Sequence, residues 1–155
     1  MSSKSKLIAD QITAEINSLT LPVVMEKSSP FCKTAAAPKI ERKKDQGHLR
    51  AFVLITSREL DPTAQQDRCS RRMMTRCAVT ISKRLSAYDN DTEQPGTLSE
   101  IDDYLENVEF IMQHFADLRQ LTTANQVSYE TVSVLNDDWL TGSSYLYSEF
   151  NIAYA

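Results

Sequence analysis

Three glycines in 155 residues, at positions 47, 96 and 142, leave no glycine-rich phosphate loop, no dinucleotide fingerprint and no nucleophile elbow, because each needs glycines at short spacing. Two histidines, His48 and His114, and three cysteines, Cys32, Cys69 and Cys77, form no CxxC or HxxxH pair, so a zinc site lacks its ligands. Cysteines that are odd in number and widely spaced read as reduced thiols rather than a disulfide framework. No apolar run approaches the roughly 20 residues that span a bilayer. The opening Met1-Ser2-Ser3-Lys4-Ser5-Lys6 leads straight into an amphipathic segment, without the apolar core or cleavage site of a signal peptide. The chain is therefore expected to stay in the cytoplasm where it is made.

Candidates for catalysis are thin. His48 follows a glycine at the foot of a strand-like run, and His114 lies off an apolar stripe; with no evident partner, both read as solvated surface. The segment Asp89-Asn90-Asp91-Thr92-Glu93 has the look of half a calcium loop, but Gln94 stands where that loop needs glycine, so an ordinary acidic loop is expected. Neither cofactor, metal nor enzymatic activity is expected.

What is present is a soluble globular composition, 41% hydrophobic and 25% charged, in a length that suits one domain over 1–155. The net charge of −4 hides an asymmetry: residues 1–86 carry 16 Lys and Arg against 8 Asp and Glu, and residues 87–155 carry 1 against 13. Folded to different sides, these halves give the domain faces of opposite sign that suit association with its own copies; intermixed, they cancel locally.

The clearest element lies at 97–120. Ile101, Tyr104, Leu105, Val108, Ile111, Met112, Phe115 and Leu118 recur at helical spacing on one side. Thr97 and Glu100 fit a capping box, while Asp102 and Asp103 at the start and Arg119 at the end suit the helix dipole. A narrower stripe of Leu7, Ile8, Ile12, Ile16 and Leu19 predicts a second helix over 5–19. Segment 21–31, with Val23, Val24 and Met25 between two prolines, reads as an edge strand. The run Ala51-Phe52-Val53-Leu54-Ile55 predicts a buried strand over 49–58. Residues 72–85 alternate, with Met73, Thr75, Cys77, Val79, Ile81 and Leu85 opposite Met74, Arg76, Ala78, Thr80, Ser82 and Arg84, as in a half-buried antiparallel strand. Strands are expected again at 126–135 and 145–154, and long loops at 33–47, 59–71 and 136–144. The order α-β-β-β-α-β-β implies an α+β fold: a mostly antiparallel sheet of four to five strands with two helices packed on one face.

Two basic clusters remain, Arg68, Arg71, Arg72 and Arg76, and Lys39, Arg42, Lys43 and Lys44. Either could touch phosphate, but no aromatics interleave with them for stacking on bases, so pairing with an acidic neighbour or with solvent is expected. Trp139, beside Asp137 and Asp138, either folds back as a lid over the sheet end or inserts into another subunit as an anchor.

Taken together, the segments resemble the tail terminator, or tail completion, proteins of the head-to-tail joint of tailed phages. The opening Lys6-Leu7-Ile8-Ala9-Asp10-Gln11-Ile12-Thr13-Ala14-Glu15-Ile16-Asn17 is similar to the family's first helix, and a strand with Glu26-Lys27 follows. A buried strand ending in Arg58-Glu59, an arginine-rich hairpin, an alternating strand ending in Lys83-Arg84-Leu85 and a helix starting with Glu100-Ile101-Asp102 continue the match. Leu135-Asn136-Asp137-Asp138 and a last strand with a Tyr near its end complete it. The Ala-rich loop at 34–37 and the Trp139 loop have no counterpart in it. The resemblance implies a structural virion protein with no catalytic residue: a homo-hexameric ring on the last ring of the tail tube, contacting tail tube protein below and a neck or portal-side protein above. DNA would pass through its lumen unread. Lys39, Arg42, Lys43, Lys44, Arg68, Arg71, Arg72, Asp137, Asp138 and Trp139 are the expected contacts. The alternatives are a neck or head-completion protein and, outside the virion, a non-specific nucleic-acid-binding domain.

Overall fold

A computed structural model describes residues 4–35, 48–60, 73–85, 95–136 and 145–155. Its elements are α1 (Lys4–Ser18), β1 (Lys27–Ala35), β2 (Leu49–Leu60), β3 (Met73–Arg84), α2 (Pro95–Asp117), β4 (Gln126–Ser133) and β5 (Tyr145–Tyr154). The α+β class and the order α-β-β-β-α-β-β are those expected from sequence. The strands form one five-stranded sheet in the order β1-β2-β3-β5-β4.

The sheet is mixed: β1 runs parallel to β2, and the other three pairings are antiparallel. A parallel neighbour needs a connection of about a dozen residues or more. Positions 36–48, between Ala35 and Leu49, provide that length.

Both helices cover the same face. On α1, Ile8, Ile12 and Ile16 repeat every fourth residue and are fully buried, as are Tyr104, Val108, Ile111 and Phe115 on α2. They close over Ala51 and Val53 of β2, Cys77, Val79 and Ile81 of β3, and Leu146, Phe150 and Ile152 of β5, in one continuous core. Polar groups in this layer are matched. The Tyr104 hydroxyl donates to the Ile81 carbonyl at 2.8 Å and lies 2.7 Å from Ser148 Oγ, and Ser5 Oγ lies 3.0 Å from Thr75 Oγ1.

Several expectations are corrected. Val23, Val24 and Met25 precede the first strand, with Val24 98% exposed, and Cys32 sits buried within β1 rather than opening a loop. The expected loop at 33–47 therefore loses 33–35 to β1, and the one at 59–71 loses 59–60 to β2. β3 is buried on both faces, not one, because its place in the middle of the sheet lets β2 and β5 shield Met74, Ala78 and Thr80 as well. Helix α2 begins at Pro95, which lacks the N–H that a first turn leaves unpaired. With α2 starting at Pro95, Thr97 lies inside the helix and not at its cap as expected; Glu100 reaches Lys83 of β3, and Asp102 and Asp103 fall beyond the first turn. Arg119 lies past the helix end at Asp117. His114 is not simply solvated: its Nε2 is 2.8 Å from Glu15 Oε1, which ties α2 to α1, and its ring meets Phe115 edge-on. His48 likewise pairs with Glu26 at 3.1 Å.

Cys32 and Cys77 are both buried, and burial pushes each thiol up to about 12. At pH 8 such a thiol is ionised to about one part in ten thousand. We expect neither to be alkylated in the native chain and both to react on unfolding; peptide mapping after a timed iodoacetamide pulse reads this, and rapid native labelling of either would contradict it.

Candidate functional site

The ten contact residues expected from sequence, Lys39, Arg42, Lys43, Lys44, Arg68, Arg71, Arg72, Asp137, Asp138 and Trp139, lie outside the described residues, as does the acidic segment 89–94. The surfaces that are described are the two ends of the sheet and its helix-free face.

Charge separates along the strand order. The described residues of the first half, which build α1, β1, β2 and β3, carry nine Lys and Arg against four Asp and Glu. Those of the second half, which build α2, β4 and β5, carry one against eight. Along the strand order, the described residues through β2 carry six Lys and Arg against four Asp and Glu and β3 three against none, so the charge runs from near balance at the β1 end through a basic central strand to an acidic end at α2, β5 and β4. The described residues of the two halves thus lie on different sides of the β3–β5 junction.

The two sheet edges differ. At β1, the Asn17 side chain accepts from the Cys32 N–H at 2.8 Å and donates to the Cys32 carbonyl at 3.0 Å, filling the place a neighbouring strand would take. Beside it the Thr34 hydroxyl donates to Asp10 at 3.0 Å and lies 2.8 Å from Thr13 Oγ1, so α1 guards this edge. The β4 edge has no such guard among the described residues, and its ladder with β5 is interrupted at Gln126/Ser128 and again at Thr131/Ser133. Between α2 and β4 runs an open groove of about 370 Å3, lined by Glu109, Met112, Gln113, Ala116, Tyr129 and Thr131.

On the helix-free face, Phe52, Leu54, Met74, Ala78 and Thr80 are buried. Around them stand long polar side chains, including Arg76, whose Nε is 4.0 Å from Glu59, and Tyr147, whose hydroxyl donates to Glu149 at 3.0 Å. Burial and the adjacent Glu149 carboxylate push the Tyr147 phenol above its ordinary range.

Sequence reasoning missed one built feature of this face. Lys27 pairs with Leu49 and Cys32 with Ala51, so the four residues 28–31 arch over the single residue Arg50. Under the arch is a small cleft of about 50 Å3, lined by Ser28, Ser29, Phe31, Lys33, Arg50 and Phe52 among others. The one local hint was an arginine next to the longest apolar run of the first half; the arch itself arises from a pairing between distant segments.

Chemically, the described residues hold no group of three or more His, Cys, Asp or Glu that could bind a metal ion. Each histidine has a carboxylate partner, but among the described residues neither ring is hydrogen-bonded to a hydroxyl or thiol that it could activate. No described helix is long and apolar enough to cross a membrane. Compared with known proteins, the chain matches no family model, and no curated protein matches it.

Proposed function

We propose that this chain is a structural virion protein: a tail terminator subunit that closes into a hexameric ring on the end of a phage tail tube and joins it to the neck or head. It acts by contact alone, with no catalytic step. The observation that carries the reading is the change of sign across the β3–β5 junction, from a net basic β1-β2-β3 side to an acidic α2-β5-β4 side of one sheet. A body whose charge changes sign along the sheet can pair antiparallel about a two-fold axis or head to tail, and head-to-tail contacts close into rings when the rotation per copy allows. The order α-β-β-β-α-β-β, with both helices on one face, supports it through the resemblance described above. In the ring, DNA passes through the lumen without being read, and the two rims meet tail tube protein and a neck or portal-side protein.

The test is the native mass of the purified chain across a concentration series at low and high salt. The expected result is a species of six copies of the 17.5 kDa chain at low salt, shifting toward smaller species as salt screens the end-to-end attraction. A monomer at every concentration, or a closed dimer indifferent to salt, overturns the reading.

A further inference from the structure

We propose that the outer edge of β4 binds an extended basic segment of a partner protein, which adds to the sheet as a further strand. The backbone groups that the edge leaves over are the first reason. Asn125 and Ala155 exchange both of their backbone hydrogen bonds, so by the alternation of an antiparallel ladder Ala153 and Asn151 turn theirs toward β4, where they face Ser128 and Glu130. Tyr129 and Thr131, which alternate with these two, turn N–H and C=O away from the sheet, and no described residue takes them up. Their side chains line the open groove of about 370 Å3 beside α2, together with Met112 and Ala116. Unpaired backbone groups and a partly apolar slot thus share one line. Strand addition uses both: main-chain bonds supply affinity, and alternate side chains enter pockets.

Charge decides what kind of strand fits. α2, β4 and β5 contain eight Asp and Glu and no Lys or Arg. Glu130 is exposed on β4 itself, on the face opposite Tyr129, and Glu109 is exposed at the groove. The described edges of a second copy do not answer this. Its β1 is closed by Asn17 of α1, and β4 against β4 would bring two acidic edges together. A segment with apolar side chains toward α2 and Lys or Arg toward Glu130 matches the slot and the charge at once. The interruptions of the β4 ladder at Gln126/Ser128 and Thr131/Ser133 keep the regular edge short, which suits a peptide segment better than the side of another sheet. The ring reading plays no part in this assignment.

The probe is a short capped peptide of alternating lysine and valine, titrated into the full chain and followed by amide chemical shifts and hydrogen exchange. Saturable shifts along β4 and the facing side of α2 are expected, with exchange of the Tyr129 and Thr131 amides slowed at least about tenfold. Methylating alternate backbone nitrogens of the peptide keeps its charge but removes strand bonds, and should weaken binding at least about tenfold. Glutamate in place of its lysines should weaken it about as much. Thr131→Pro should also cost at least about tenfold while the chain stays folded, because the N–H it removes points away from β5. Glu130→Lys, an exposed change that does not threaten the fold, should cost about fivefold. Equal binding by the methylated peptide would reduce the contact to plain charge attraction and overturn the proposal. So would shifts that never saturate, or full affinity in both variants. Protection of the Tyr129 and Thr131 amides before any peptide is added would seat a second copy or another part of this chain on the edge, and would overturn it as well.

Discussion

Replacing Glu100 with leucine is expected to destabilise the chain by about 3–5 kcal/mol, the usual loss when one member of a buried ion pair is removed. Its partner, Lys83, has a side chain only 8% exposed, and Glu100 itself is 13% exposed. Without the carboxylate, the Lys83 ammonium keeps, among the described residues, only a 3.3 Å bond to the Arg84 carbonyl, a neutral acceptor that does not offset its charge. For a domain of this size the loss corresponds to a fall in Tm of about 10 °C, readable by calorimetry. The pair pins the start of α2 to the end of β3, so the variant should also lose amide protection in the first turns of α2 before the rest of the sheet. Removing both charges, as in Lys83→Met with Glu100→Leu, should recover most of the stability, because the cost comes from an orphaned charge and not from a missing attraction. A single-variant loss under about 1 kcal/mol would mean that water reaches and screens the pair as it does at a surface.

That pair also marks a limit of what could be read in advance. The apolar face of α2 is written in its own sequence, since its burial depends on spacing within one helix, and Tyr104, Val108, Ile111 and Phe115 lie where the period places them. The last strand is equally local: Leu146, Phe150, Ile152 and Tyr154 alternate inward. Glu100, by contrast, satisfies a capping pattern on paper, and only the approach of β3 gives its carboxylate a stronger partner. The same holds for β1. Its prolines suggested extended chain near residues 21–31, but the strand begins at Lys27 and runs to Ala35 because Cys32, Thr34 and Ala35 find partners on β2. The cleft around Arg50 was illegible for this reason: four residues arching over one is a property of register between two segments, and neither segment shows it alone.

Charge separation was half legible. Counting residues gave the two signs, but whether they cancelled depended on strand order, which composition does not encode. Had β4 or β5 been inserted between β1 and β2, the same sequence would have carried mixed faces. The observed order keeps the basic strands contiguous and puts the acidic helix and β4 at the far end. A salt-dependent association follows from that order more than from the net charge of −4.

The second large effect is expected at Asn107, which is fully buried on α2 and accepts from the Val23 N–H and donates to the Val23 carbonyl, both at 3.0 Å. Asn17 on α1 makes the same two-pronged contact with Cys32 from an exposed position. Each helix thus holds both backbone groups of one residue in the segment that leads into and through β1, and the two asparagines differ chiefly in their access to water. Asn107→Ala should cost about 3 kcal/mol, since a fully buried side chain is replaced by a void and the Val23 N–H and carbonyl both lose their partner. Asn17→Ala should cost about 1 kcal/mol, because water can take over both bonds. Denaturant unfolding of the two variants side by side measures the contrast, and exchange of the Val23 and Cys32 amides shows whether each loss is local. Equal losses would mean that the bonds themselves, rather than their burial, set the cost. A larger loss for Asn107 would make α2 the clamp for Val23 and the residues before β1, the first part of the 21–31 segment in which sequence patterning had placed an edge strand but where the strand does not start until Lys27.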